Sequence, residues 1–181
     1  LASLGISANQ VTVAGFVLAV GGAAAVAAGR PVLGMSLWLA SRLLDAVDGA
    51  VARQAPSGST FGGFLDISLD MAAYSLMVVA FARVHPTLQL WWLLVLVGYL
   101  LCITTTAVLS SMLEQRRAQL PGNDRSLQFT AGFAEGGETT IVYLLLAAFP
   151  RWAEAILVIW VVVLGATVVQ RMDTARRLLD G

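Results

Sequence analysis

The sequence predicts an all-α, polytopic membrane protein: six transmembrane helices forming a single domain over residues 1–181. Composition is the first reason, because 58% of the residues are hydrophobic and only 12% charged, whereas about a quarter of a soluble domain is charged. Mean hydropathy is accordingly +0.80. The second reason is the length of the apolar runs. Stretches such as Val11 to Gly29 and Leu88 to Leu109 approach or reach the roughly 20 residues that a helix needs to cross a bilayer core of about 30 Å. Such runs recur to the end of the chain, unlike the one short run of a cleaved leader. The chain opens on Leu1 rather than methionine, which points to a segment upstream.

Helix breakers divide these runs in order. The first span, Gln10 to Gly29, stops at Gly29-Arg30-Pro31, and the second, Val32 to Arg53, is followed by Pro56-Ser57-Gly58-Ser59. The third, Phe61 to Arg83, stops at Val84-His85-Pro86, and the fourth, Leu88 to Leu113, precedes Pro121-Gly122-Asn123. The fifth, Gln128 to Phe149, stops at Pro150-Arg151, and Trp152 to Met172 completes the set. Loops this short leave no room for a second domain, and no internal repeat is visible.

Every basic side chain is an arginine, and the net charge is zero with no basic run, so nucleic acid is not expected as a partner. Cys102 is the single cysteine, which rules out a disulfide within the chain and a cysteine-based zinc cluster. Arg53, Arg116, Arg117, Arg125, Arg171, Arg176 and Arg177 fall on one side of the predicted spans, against Arg30, Arg83 and Arg151 on the other. Positive charge stays inside, so both termini and the loop joining the second and third spans are expected to face the cytoplasm. Trp91, Trp92 and Trp152 lie near the opposite ends, as in an aromatic belt. His85 is on that far side too and is a poor catalytic candidate.

Around the cytoplasmic loop the second span carries Asp45, Asp48, Gly49, Ala52 and Arg53, and after eight residues the third carries Gly62, Asp66 and Asp70. Asp45 and Asp48 are three apart and Asp66 and Asp70 four apart, so each pair shares a helix face. A short loop makes the helices antiparallel neighbours, and the four carboxylates converge. Even one such charge at a helix centre costs about 2.5 to 3.5 kcal/mol on insertion scales, and like charges repel. A cation is required. Hard oxygen donors favour Mg²⁺, Mn²⁺ or Ca²⁺, and Mg²⁺ is commonly shared with substrate phosphates. Gly49, Ala52 and Gly62 remove bulk where a ligand would approach the backbone. The rival structural reading pairs the aspartates with Arg42 and Arg53 as buried salt bridges. A cation transporter and an intramembrane prenyltransferase are the functional rivals. The first leaves the Gly49, Ala52, Arg53 and Gly62 spacing unexplained, and the second resembles longer chains with other aspartate spacings.

The string from Asp45 to Asp70 resembles the complete signature of the CDP-alcohol phosphatidyltransferase family. The resemblance implies a dimeric enzyme, in a bacterial inner membrane, that transfers a phosphatidyl group from CDP-diacylglycerol or a related CDP-lipid to a small alcohol and releases CMP. It implies Mg²⁺ or Mn²⁺, as two ions, with Asp45, Asp48, Asp66 and Asp70 as ligands. Asp70 would also be the general base, and Arg53 a phosphate contact. The family's Pro-Asn-x-x-Thr string is represented by Ala8-Asn9-Gln10-Val11-Thr12, with the proline absent, so Asn9 and Thr12 are the matching nucleotide contacts.

Glu135 and Glu138 share a face of the fifth span. They either shape an acceptor pocket or pair with Arg42, Arg171 or a threonine. Arg116 and Arg117, with Arg125, either bind a phosphorylated acceptor or anchor the chain to anionic lipid. The acceptor itself stays open.

Overall fold

The computed structural model describes residues 7–54, 60–118 and 136–180, and within them all side chains except those of residues 8, 47–54, 60, 117 and 118. The described residues form six α-helices and no strand: α1 (Ala8–Ala27), α2 (Pro31–Gln54), α3 (Thr60–Val84), α4 (Gln89–Ala118), α5 (Gly136–Ala148) and α6 (Ala153–Asp180). Stretches Asn9–Ala27, Phe61–Val84, Pro86–Arg116 and Pro150–Asp180 are long and apolar enough to cross a membrane. The six expected spans are therefore matched by four of full length. Helix α2 has the length but carries Arg42, Asp45, Asp48 and Arg53 in its 24 residues. The described part of α5 is 13 residues long, because the expected stretch 128–135 lies outside the described residues.

Local chemistry sets the helix ends. Ser7 caps α1 reciprocally: its hydroxyl accepts from the Gln10 amide at 3.3 Å, and its own amide donates to Gln10 Oε1 at 2.9 Å. At the other end Gly29 takes φ +75°. The Gly29 amide donates to Val26 O and the Arg30 amide to Ala25 O. This left-handed turn satisfies carbonyls the helix end would orphan, and it suits a residue without a Cβ. Pro31 then starts α2 where its missing N–H costs nothing. The ends of α3 and α5 share one device. In each, a residue before proline leaves the helix and a 3₁₀ turn, Pro86–Leu88 or Pro150–Trp152, leads into the next helix.

The chain divides into two compact units, Leu1–Gln89 and Leu90–Gly181. In the first, the close backbone packing is of α1 against α2 and of α1 against α3. Helices α1 and α2 approach closely at Gly22 and Gly34. A Cβ on Gly22 would stand 2.8 Å from Gly34 O, and one on Gly34 would stand 2.8 Å from Gly22 O. Helices α2 and α3 meet through long side chains. Trp38 faces Tyr74 and Arg42 faces Asp70, a register that makes them antiparallel as expected. Trp38, Met77, Val78 and Phe81 are buried in this unit.

In the second unit, Tyr99, Tyr143 and Trp160 link α4, α5 and α6. The two hydroxyls are 3.2 Å apart, and the Trp160 indole N–H donates to Tyr99 at 3.2 Å. Gly98 gives α4 room for Leu164. The Cys102 thiol is buried against Leu164, consistent with a packing role. Trp152 is 67% exposed, but Trp92 is 2% exposed and belongs to the core instead of an aromatic belt. Elsewhere, side chains such as Leu43, Phe64, Val79, Leu93, Ile159 and Val162 stand exposed on the helices, an outer surface suited to lipid and not to water.

Candidate active site

Two turns of α2 assemble one side of the site. Trp38, Ser41, Arg42 and Asp45 succeed one another at spacings of one to four residues, so they project from one side of the helix. On α3, Asp70 and Tyr74 are four apart and meet them. Arg42 Nη1 donates to Asp70 Oδ1 at 2.7 Å and lies 3.8 Å from Asp45 Oδ2. Its Nη2 donates to Ser41 Oγ at 3.0 Å, and Nη1 is 3.5 Å from the Tyr74 hydroxyl. The guanidinium carbon sits 4.8 Å from the Trp38 ring centre and 5.3 Å from that of Tyr74. Those rings pack edge-on at 5.2 Å. A planar cation is thereby stacked on aromatic faces while its edge serves two carboxylates, which an ammonium group could not reproduce.

Beside this cluster lies a small cleft, partly open to the outside. Thr12, Gly15 and Phe16 of α1 form one wall, Ser41, Arg42 and Asp45 of α2 another, and Leu69 and Asp70 of α3 the third. Asp45 and Asp70 remain 35% and 26% exposed, so both carboxylates can be reached. Gly15 of α1 lies over the Ser41 carbonyl, where a Cβ would make ordinary contact at 3.6 Å, so a small side chain would also fit.

Of the residues singled out in the sequence, Asp45, Asp70 and Thr12 come together at this cleft. Asp66 is half-buried on α3, one turn before Asp70, and Gly62 and Asn9 are half-buried on α3 and α1. The side chains of Asp48, Gly49, Ala52, Arg53 and Arg117, and the whole of Glu135, lie outside the described residues. Glu138 is exposed in the first turn of α5. Arg116 donates to the carbonyls of Leu178 and Leu179 at the end of α6, which gives it a helix-capping contact. Among the described residues no three acidic, histidine or cysteine side chains form a metal-binding group.

Arg42 enters the site as more than a counter-ion. The sequence marks it only as a possible partner of the aspartates. Its spacing from Trp38 and Asp45 was the available signal, but the aromatic seat also needs Tyr74 from another helix.

Fold and site define a class: an integral membrane enzyme with a carboxylate-lined cleft among its helices. The chain belongs to the CDP-alcohol phosphatidyltransferase family, whose model matches residues 6–171. It is 31% identical over 153 residues to the inner membrane protein YnjF of Escherichia coli, covering 82% of this chain and 72% of that protein. It is 32% identical over 181 residues to the archaetidylinositol phosphate synthase of Pyrococcus horikoshii, covering 99% and 89%. The crystal structure of Mycobacterium tuberculosis phosphatidylinositol phosphate synthase with CDP-DAG bound shares the fold, with a TM-score of 0.71 at 24% identity over 97% of this chain and 89% of that one.

Proposed function

We propose that this enzyme transfers a phosphatidyl or similar lipid phosphate group from a CDP-linked lipid to an alcohol at the cleft between α1, α2 and α3. The observation that carries the reading is the convergence of Asp45 and Asp70, from antiparallel helices, on one reachable cleft. Continuing the register that sets Arg42 opposite Asp70 brings Asp66 level with the turn between Asp45 and Asp48. The α1 register set by Gly22 and Gly34 likewise runs Thr12 and Asn9 toward that turn.

The donor set fits a hard divalent cation. Asp45 and Asp70 offer accessible carboxylate oxygens, and one guanidinium leaves the four aspartates with net negative charge. Asp45, Asp48, Asp66 and Asp70 would hold Mg²⁺ or Mn²⁺, as two ions. A relative in the same fold, the M. tuberculosis synthase, has been crystallised with manganese and citrate. Bound there, such ions neutralise a diphosphate and stabilise the departing CMP. Asp70 takes the proton of the acceptor hydroxyl as its oxygen attacks the lipid-side phosphorus and the bond to CMP breaks. Arg53, Asn9 and Thr12 contact the nucleotide end, with Gly49, Ala52 and Gly62 leaving it room.

The acceptor is proposed to be an inositol phosphate, by analogy with the synthases named above; Glu138, Glu135, Arg116 and Arg117 remain candidates for its pocket. The enzyme is read as one domain of six spans, a homodimer, with its termini and cleft facing the cytoplasm. Purified protein given CDP-diacylglycerol, Mg²⁺ and a panel of alcohols tests the reading. CMP release with a new lipid product supports it, and no CMP from any CDP-lipid overturns it. An inositol phosphate left untouched while another alcohol reacts overturns only the acceptor.

A further inference from the structure

The structure assigns Arg42 a task of its own: it is a positioning residue that fixes the Asp70 carboxylate toward the cleft. This inference rests on the proposed role of Asp70 as base.

A single charge contact would leave a carboxylate free to rotate. Here the guanidinium is itself immobilised. Trp38 is fully buried and Tyr74 7% exposed, and their rings lie 4.8 and 5.3 Å from the guanidinium carbon. Ser41 Oγ, on a fully buried residue, holds Nη2 at 3.0 Å. That leaves Nη1 at a defined point, 2.7 Å from Asp70 Oδ1. Asp45, at 3.8 Å from the same nitrogen, is the looser partner. The seat therefore fixes Asp70 more firmly than Asp45. Because Trp38 and Arg42 of α2 reach Tyr74 and Asp70 of α3, the seat also links the two helices at the level of the cleft. Direct binding of substrate phosphate by Arg42 is the competing role, and it predicts a different kinetic signature.

The experiment compares wild type, Arg42→Gln, Asp70→Asn and the double variant in the CMP-release assay at varied CDP-diacylglycerol. Arg42→Gln should lower kcat by about 10- to 100-fold, the scale of an ångström-sized misplacement, while the KM for CDP-lipid stays within about threefold. In the Asp70→Asn background the same change should cost little more, since residues acting through one another are non-additive. Arg42→Lys, which keeps charge but not the planar seat, should recover only part of kcat. If Arg42→Gln does not fold in detergent, Trp38→Phe, which shrinks one ring of the seat, replaces it in the cycle with the same expected non-additivity. Unchanged kcat, a loss confined to KM, or an undiminished loss on top of Asp70→Asn would each overturn the assignment. A wild-type protein that releases no CMP would instead overturn the functional reading beneath it.

Discussion

Arg42 and Asp70, on antiparallel helices, meet at 2.7 Å, and the arginine reaches that point because two aromatic rings hold it there. In a segment read as membrane-embedded, this pairing makes an otherwise costly carboxylate tolerable without occupying all of it. Asp70 stays 26% exposed toward the cleft.

Removing a single ligand charge should stop turnover. Asp45→Asn, Asp48→Asn and Asp66→Asn are each expected to weaken Mn²⁺ and CDP-lipid binding by more than the roughly 10- to 100-fold typical of groups that merely support a metal ligand. Mn²⁺ titration followed by paramagnetic resonance reads this directly. Near wild-type affinity in all three variants contradicts the metal site.

Asp70→Asn should behave differently. The remaining aspartates still bind the CDP-lipid, so its affinity is largely kept while kcat falls by about 10² to 10⁴, the contribution of general-base catalysis. If binding falls as far as in Asp45→Asn, Asp70 is a metal ligand first and the base lies elsewhere, with Glu135 and Glu138 next to be tried.

Orientation is open to chemical labelling. A cysteine placed by Ser57→Cys, in a background where Cys102 is replaced by serine, should resist an impermeant maleimide in intact cells and react after lysis. Labelling from outside would put the cleft on the other face.

The α1–α2 crossing supplies a stability prediction. Gly34→Ala puts a Cβ 2.8 Å from Gly22 O and 3.0 Å from the Val26 amide nitrogen. Both are backbone atoms that cannot rotate away, so a loss of about 1 to 3 kcal/mol is expected. Gly63→Ala, which meets nothing within 4 Å, is the control. Thermal unfolding in detergent should separate the two, and equal melting temperatures would contradict the packing.

Much of this was readable in the residues because it is local. Gly29-Arg30-Pro31 marks a helix end by conformational need alone, and Asp45 and Asp70 declare themselves by being charged where lipid is expected. The Arg42 seat was less accessible, since its second ring comes from α3 and its charge reads equally well as a plain ion pair. The role of α1 was harder still. Its sequence is almost featureless Ala, Gly and Val, yet those small residues let it become the helix on which α2 and α3 both pack. Trp92 was misread for a related reason: position near a helix end suggests an interface, whereas which way the ring faces depends on the neighbouring helices.

Taken as a pivot, the close approach of Gly22 and Gly34 has a long reach. Eleven residues of α2 separate Gly34 from Asp45, a lever arm of about 16 Å at 1.5 Å per residue. A tilt of about 4° at the pivot swings the far end by about 1 Å, an error of the size that can cost a reaction about 10²-fold. A change at two residues with no side chain, and no chemistry of their own, would thus be felt at Asp45, near the other end of the helix.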